Sequence, residues 1–190
     1  MTERSDLAFA VIGAGFGGLG MAIDLLGSGH DDVTIFEARD GVGGVWRANT
    51  YPGAACDVPS HLYSFSFDLN PDWSRTFSPQ EEILAYLEDV ADRHGLRRHL
   101  RVDTRIVRAE WDETAAGWQL TTDDGSTHHA DVLIAATGQL RLPRYPELPG
   151  RGDFRGTQFH SAEWDHDHSL TGERVAVIGT GVRVNAIRPR

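Results

Sequence analysis

The sequence predicts an α/β chain built on a parallel sheet, and three observations carry that reading. A short apolar strand, Leu7–Ile12, runs straight into a glycine-rich turn and an amphipathic helix. A second apolar strand, Val33–Glu37, ends on an acid, and a third, Val132–Gly138, ends in small residues. Strand, helix and strand in that order make a βαβ unit, whose crossover favours parallel pairing. The chain has 190 residues, 40 % of them hydrophobic and 24 % charged, which is enough to bury a sizeable core without disulfides or metals.

Each element follows from a local pattern. After the turn Gly13-Ala-Gly15-Phe-Gly-Gly18, apolar residues at Leu19, Ala22, Ile23 and Leu26 keep the spacing of one helix face, and Gly27 and Gly29 supply the stop. From Arg39 to Phe77 the chain is rich in glycine, proline and aromatics. That stretch is too long for a plain connector, so it is either functional or packed by its own side chains. Ser78-Pro-Gln-Glu81 reads as a capping box with Pro79 at the first helical position. Ile83, Leu84, Leu87, Val90 and Ala91 form the apolar face of the helix that follows, and Gly95 ends it. From Leu100 to His129 strands alternate with turns, broken near Ala115–Gly117 and Asp123–Gly125. Pro143, Pro146, Pro149 and Gly150 mark a linker, and Arg174–Gly181 reads as a second strand leading into a glycine turn.

Composition excludes several functions. Residues 1–95 carry 15 acids against 5 arginines, and residues 96–190 carry 13 of each. Such a chain gains nothing from counterion release, so nucleic acid is not an expected partner. No apolar run reaches the ~20 residues of a membrane-spanning helix, no secretory leader is recognisable, and the chain reads as cytoplasmic. One cysteine, Cys56, excludes an internal disulfide. His166-Asp-His168 offers only two ligands on an extended, charged stretch, so no metal is expected.

Gly13, Gly15 and Gly18 lie between a strand and a helix, where each has a mechanical reason. The first makes the turn, the second lets a pyrophosphate approach the backbone, and the third lets helix and strand pack closely. The helix N-terminus offers N–H groups and partial positive charge to phosphates. Glu37, at the end of the second strand, is placed for a ribose hydroxyl.

Gly43-Gly44-x-Trp46 and the Ala136-Thr137-Gly138 strand end resemble the flavoproteins with two dinucleotide-binding domains. Phe154-x-Gly156-x-x-x-His160-x-x-x-Trp164-Asp165 resembles the fingerprint of the type I Baeyer–Villiger monooxygenases, a branch of the flavin-containing monooxygenase superfamily. Gly41–Trp46 and Tyr51–Ser60 are similar to that family's flavin-proximal loop. The resemblance spans residues 7 to about 181 and implies a Rossmann-like FAD-binding fold with a β-rich crossover and the start of a second, incomplete NAD(P)-binding unit. The implied domains are an FAD-binding part at 1–142, a linker with the fingerprint at 143–170, and the start of an NADP-binding unit at 171–190.

The resemblance also implies roles. Gly13, Gly15 and Gly18 would hold the FAD pyrophosphate and Glu37 the adenosine ribose, with Gly138 at the strand end beside them. Gly44 and Trp46 would lie along the flavin half, with Asp57 and Tyr63 nearby, and Val107 would meet the adenine through its backbone. Asp57 would be the active-site carboxylate that helps order an arginine, and His160 would couple NADPH binding to oxygen chemistry at the hinge. Gly179 and Gly181 would begin the NADPH turn. The implied reaction uses FAD, NADPH and O₂ to insert one oxygen beside the carbonyl of a ketone or aldehyde, through a flavin peroxide.

Two other readings stay open from the sequence: a flavin monooxygenase oxidising nitrogen or sulfur, and a non-catalytic FAD-binding fragment. Trp164-Asp165 argues for the Baeyer–Villiger branch. The chain departs from the pattern at Ala55, where the family commonly has arginine, and at Val184, where the second glycine motif wants a small residue. Val182–Arg190 holds three arginines and no acid and does not continue a dinucleotide helix, which suggests a truncated or frame-shifted end.

Overall fold

The structure is a computed structural model and describes residues 7–179. β1 (Phe9–Ile12) is the central strand of a four-stranded parallel sheet. It pairs with β2 (Val33–Phe36) on one side and β7 (Val132–Ala135) on the other, so that Val11 lies between Ile35 and Ile134. β3 (Leu100–Arg101) adds a short edge beside β2. A second sheet, antiparallel, is made of β4 (Ile106–Asp112), β5 (Gly117–Thr122) and β6 (Thr127–Ala130).

The two faces of the parallel sheet bury different partners, because side chains alternate along each strand. Phe9, Val11, Val33 and Ile35 point into a core shared with α1 (Phe16–Gly27) and α3 (Gln80–Arg93), which contribute Leu19, Ala22, Leu87 and Val90. Ala10 and Phe36 point the other way and pack with Leu120 and Ala130 of the antiparallel sheet. The fold therefore has three layers: helices, parallel sheet, antiparallel sheet. This is the α/β, Rossmann-like arrangement that the sequence predicts.

The long stretch from residue 39 to 77 is held by its own aromatics. Phe16 packs on Tyr63 and Phe65 with ring centroids 5.1 Å apart in each case, and Phe65 stacks on Phe67 at 4.9 Å. Tyr86 of α3 fixes this cluster from below. Its hydroxyl accepts from the Phe65 N–H (2.8 Å) and donates to the Asp68 carbonyl (2.7 Å).

Two sequence expectations change. The capping box at Ser78–Glu81 does not form. α3 begins at Gln80 with Pro79 as its cap residue and no side-chain cap, while Ser78, fully buried, spends its hydroxyl on Ser60 (2.6 Å). A tertiary partner has displaced the local one. The strand expected at Arg174–Ile178 is absent among the described residues, and Val175, Val177 and Ile178 are exposed. A strand needs a neighbour for its backbone groups, and none of the described residues pairs with this run.

Candidate functional site: a glycine cradle at the end of the parallel sheet

The turn after β1 is packed so tightly that two of its glycines, Gly13 and Gly18, are dictated by the protein itself. Gly13 has φ +104°, and a Cβ there would come within 2.5 Å of the Ala136 carbonyl oxygen. A Cβ at Gly18 would overlap the Gly13 carbonyl, so α1 can approach β1 only without one. Gly44, at φ +55°, closes on Gly15 from the neighbouring loop, where a Cβ would meet the Gly15 Cα at 2.9 Å. The Gly43 N–H donates to the Ala14 carbonyl (2.9 Å) and pins that loop to the turn.

Gly15 is different. Its φ of −85° suits any residue, and a Cβ would make only ordinary contact, 3.5 Å from the Gly44 Cα. Nothing in the protein requires glycine there. The space a side chain would fill lies at the N-terminus of α1, which has no side-chain cap and no acid in its first turn. Uncompensated N–H groups with positive dipole character beside an open backbone suit a phosphate group. The cradle fits a dinucleotide's pyrophosphate.

Glu37 closes the cradle's far end. It is only 7 % exposed, yet both its oxygens are hydrogen-bonded. One carboxylate oxygen accepts from the Ala14 N–H (2.8 Å) and the other from the Arg39 N–H (2.9 Å), so the acid is fixed to the glycine turn. Each oxygen keeps a further lone pair for a ligand hydroxyl. Gly138, at φ +70°, lies just past β7, whose following residues Ala136 and Thr137 back the Gly13 turn.

Beyond Gly44, α2 (Val45–Ala48) carries Trp46, whose Nε1 donates to the Tyr63 hydroxyl at 3.1 Å. The two rings meet edge to face at 5.6 Å. Burial pushes the Tyr63 phenol above its ordinary pKa, so at neutral pH it remains a protonated acceptor and donor. Two clamps on this loop escape a sequence reading. Gln80 of α3 donates to the Trp46 carbonyl, and Arg47 donates to the Val42 carbonyl (2.7 Å) while pairing with Asp40 and Glu88. No periodic pattern marks either: the Gln80–Trp46 and Arg47–Glu88 bonds span 34 and 41 residues, and the shorter ones from Arg47 lie in an irregular loop.

Asp57 is exposed, and its side chain makes no hydrogen bond or ion pair among the described residues. Its neighbour Cys56 is buried, and burial raises the thiol's pKa, which makes it a packing residue rather than a nucleophile. Val107 is 57 % exposed and sits at a β-bulge: Ile106 pairs with Thr122 and Arg108 with Thr121, leaving Val107 outside the ladder.

Phe154 covers Gly156, where a Cβ would meet the phenyl ring at 2.7 Å. The His160 Nδ1 accepts from the Ala162 N–H (3.1 Å), which places the neutral ring's proton on Nε2. Its ring stands edge-on to Tyr145 at 5.5 Å. Trp164 packs on Phe159 at 5.0 Å. His166 and His168 do not converge: the first meets Thr50 and the second pairs with Glu173. Gly179 has φ +130°, and Gly181 lies outside the described residues. No described helix is long and apolar enough to cross a membrane.

Residues 7–188 match the family described as flavin-binding monooxygenase-like. The chain is 56 % identical over 180 residues to a Baeyer–Villiger monooxygenase of Streptomyces coelicolor, an alignment covering 95 % of this chain and 34 % of the relative. Among solved structures it is similar to a closed form of cyclohexanone monooxygenase, with TM-score 0.85 and 42 % identity over 95 % of this chain and 35 % of that one. It is similar also to OTEMO in complex with FAD and NADP, with TM-score 0.83 and 35 % identity over 94 % of this chain and 36 % of the other. The chain thus spans about a third of the length of the relatives it matches. With the family match running through the glycine turn, the aromatic loop and the fingerprint alike, the chain belongs to the flavin-binding monooxygenase-like family.

Proposed function

We propose that these residues are the FAD-binding portion of an FAD- and NADPH-dependent monooxygenase of Baeyer–Villiger type, acting with O₂ on a ketone or aldehyde. The observation that carries the reading is Gly15. It is a glycine the fold does not need, at the uncapped end of α1, facing a loop that Gly44 and the Gly43–Ala14 bond hold in place.

When bound, FAD supplies the oxygen activation and NADPH the electrons. The chain's own residues bind and orient. Gly13, Gly15 and Gly18 hold the pyrophosphate: Gly13 makes the turn, its own N–H bound to the Phe36 carbonyl, and the N–H groups at the start of α1, from Gly15 to Gly18, face the phosphates, with Gly138 at the neighbouring strand end, and Glu37 accepts from the adenosine ribose. Val107, with its backbone freed by the bulge, meets the adenine. Gly44, Trp46 and Tyr63 line the flavin half, and Asp57 presents an unpartnered carboxylate for a cation beside the reacting centre. His160 holds the hinge between cofactor units, and Gly179 and Gly181 open the NADPH turn. The FAD-binding part ends near residue 142, the linker with the fingerprint runs from 143 to 170, and the NADP-binding unit begins at 171.

Flavin-fluorescence titration of the purified chain with FAD and, separately, FMN tests this reading. The expected result is saturable one-to-one binding of FAD and none of FMN, which lacks the adenosine half that Glu37 and Val107 face. Equal affinity for both would overturn it. In the complete enzyme, NADPH-dependent lactone formation from a cyclic ketone, faster than oxidation of a thioether or amine, supports Baeyer–Villiger chemistry; the reverse order contradicts it.

A further inference from the structure

We infer that Thr50 and His166 are a positioning pair that fastens the fingerprint segment to the aromatic cofactor loop. The inference rests on the reading above for its functional meaning, though not for its test. Thr50 follows the residue that caps the end of α2, four positions beyond Trp46. His166 comes directly after the Trp164-Asp165 end of the fingerprint. Their side chains meet, Oγ1 to Nε2, at 2.7 Å, across 116 residues of sequence.

The segment that carries His166 also has bonds of its own. The Ala162 N–H bonds the His160 ring, the Asp167 N–H bonds the Asp165 carboxylate (3.1 Å), and His168 pairs with Glu173. Local bonds of this kind hold the segment's shape, and the contact from Thr50 ties it to the cofactor loop. A threonine hydroxyl both donates and accepts, so the contact holds with the imidazole neutral in either tautomer or protonated. Its consequence is that His160, six residues earlier, is located relative to Trp46 through Thr50, with no direct contact required between them.

Hydrogen–deuterium exchange of the purified chain tests this. Thr50→Val keeps the shape and removes the hydroxyl; Thr50→Ser keeps the hydroxyl. The expected result for Thr50→Val is amide exchange about threefold to tenfold faster across residues 160–167, the range a single net hydrogen bond allows. Thr50→Ser should exchange like the parent. Thr50→Val combined with His166→Phe should be no faster than Thr50→Val alone, because both remove one contact. Unchanged exchange in Thr50→Val, or equal acceleration in Thr50→Val and Thr50→Ser, would overturn the inference. FAD titration of the same proteins reports separately on the cofactor reading, so the two can fail independently.

Discussion

Substituting alanine for Gly15 and for Gly18 separates what the fold needs from what the cofactor needs. At Gly18 the new methyl would overlap the Gly13 carbonyl, which is backbone at the end of β1 and cannot swing aside. Relief requires α1 to move off the sheet, where Leu19 and Ala22 are fully buried. Overpacking of this kind costs about 1–3 kcal/mol, with the upper end expected here because the obstructing atom is backbone. At Gly15 the methyl reaches ordinary contact and the backbone is already in an allowed region. Its effect on stability is a few tenths for the poorer helix cap, offset by a stiffer unfolded chain, within about 1 kcal/mol overall. Yet that methyl occupies the approach to the α1 N-terminus, so FAD affinity should fall by about a hundredfold or more, as expected for a misplaced methyl against a phosphate in a rigid cradle. Urea unfolding of the cofactor-free chain gives the first quantity and flavin-fluorescence titration the second. The reasoning is refuted if Gly15→Ala loses as much stability as Gly18→Ala, or if Gly15→Ala binds FAD like the parent.

Other substitutions test neighbouring parts. Glu37→Gln puts an NH₂ against one of two N–H donors, at Ala14 or Arg39, and should cost about 1.5–3 kcal/mol by urea unfolding; a cost near zero would mean those bonds are not made. Tyr86→Phe leaves the Phe65 N–H and Asp68 carbonyl without their partner and should cost about 1–2 kcal/mol. Burial raises the Tyr86 phenol's pKa, so its contribution is complete below the unfolded value near 10 and is lost as pH rises through the higher folded value. A urea midpoint that falls above about pH 10 in the parent, and less so in Tyr86→Phe, is the expected signature. Cys56 should react with a thiol reagent at neutral pH only as fast as the chain opens, because burial both shields it and suppresses the thiolate; prompt stoichiometric labelling of the folded chain would contradict its placement.

Those parts of the molecule set by short-range pattern were legible in the sequence. The continuous apolar run of β1, the apolar stripe of α3 and the spacing of Gly13, Gly15 and Gly18 each encode their own geometry. What pattern could not reveal was competition. Ser78 has the sequence of a capping residue, but Ser60, 18 positions away, takes its hydroxyl. The run from Arg174 to Ile178 has the composition of a strand, but strands are made by partners, and the described residues offer it none. β3 is two residues long, one of them an exposed arginine, too short to carry a periodicity at all. Around the cradle, sequence placed the glycines and Glu37. It missed Gln80 and Arg47 as clamps on the Trp46 loop, because the bonds that tie that loop to α3, Gln80 to Trp46 and Arg47 to Glu88, span 34 and 41 residues.

The most direct test is to purify the chain as encoded, release whatever flavin it carries and identify it by chromatography. The glycine cradle and Glu37 predict FAD near one per chain. A folded chain that is colourless, and stays so after incubation with FAD, would contradict the central claim that these residues alone make an FAD site.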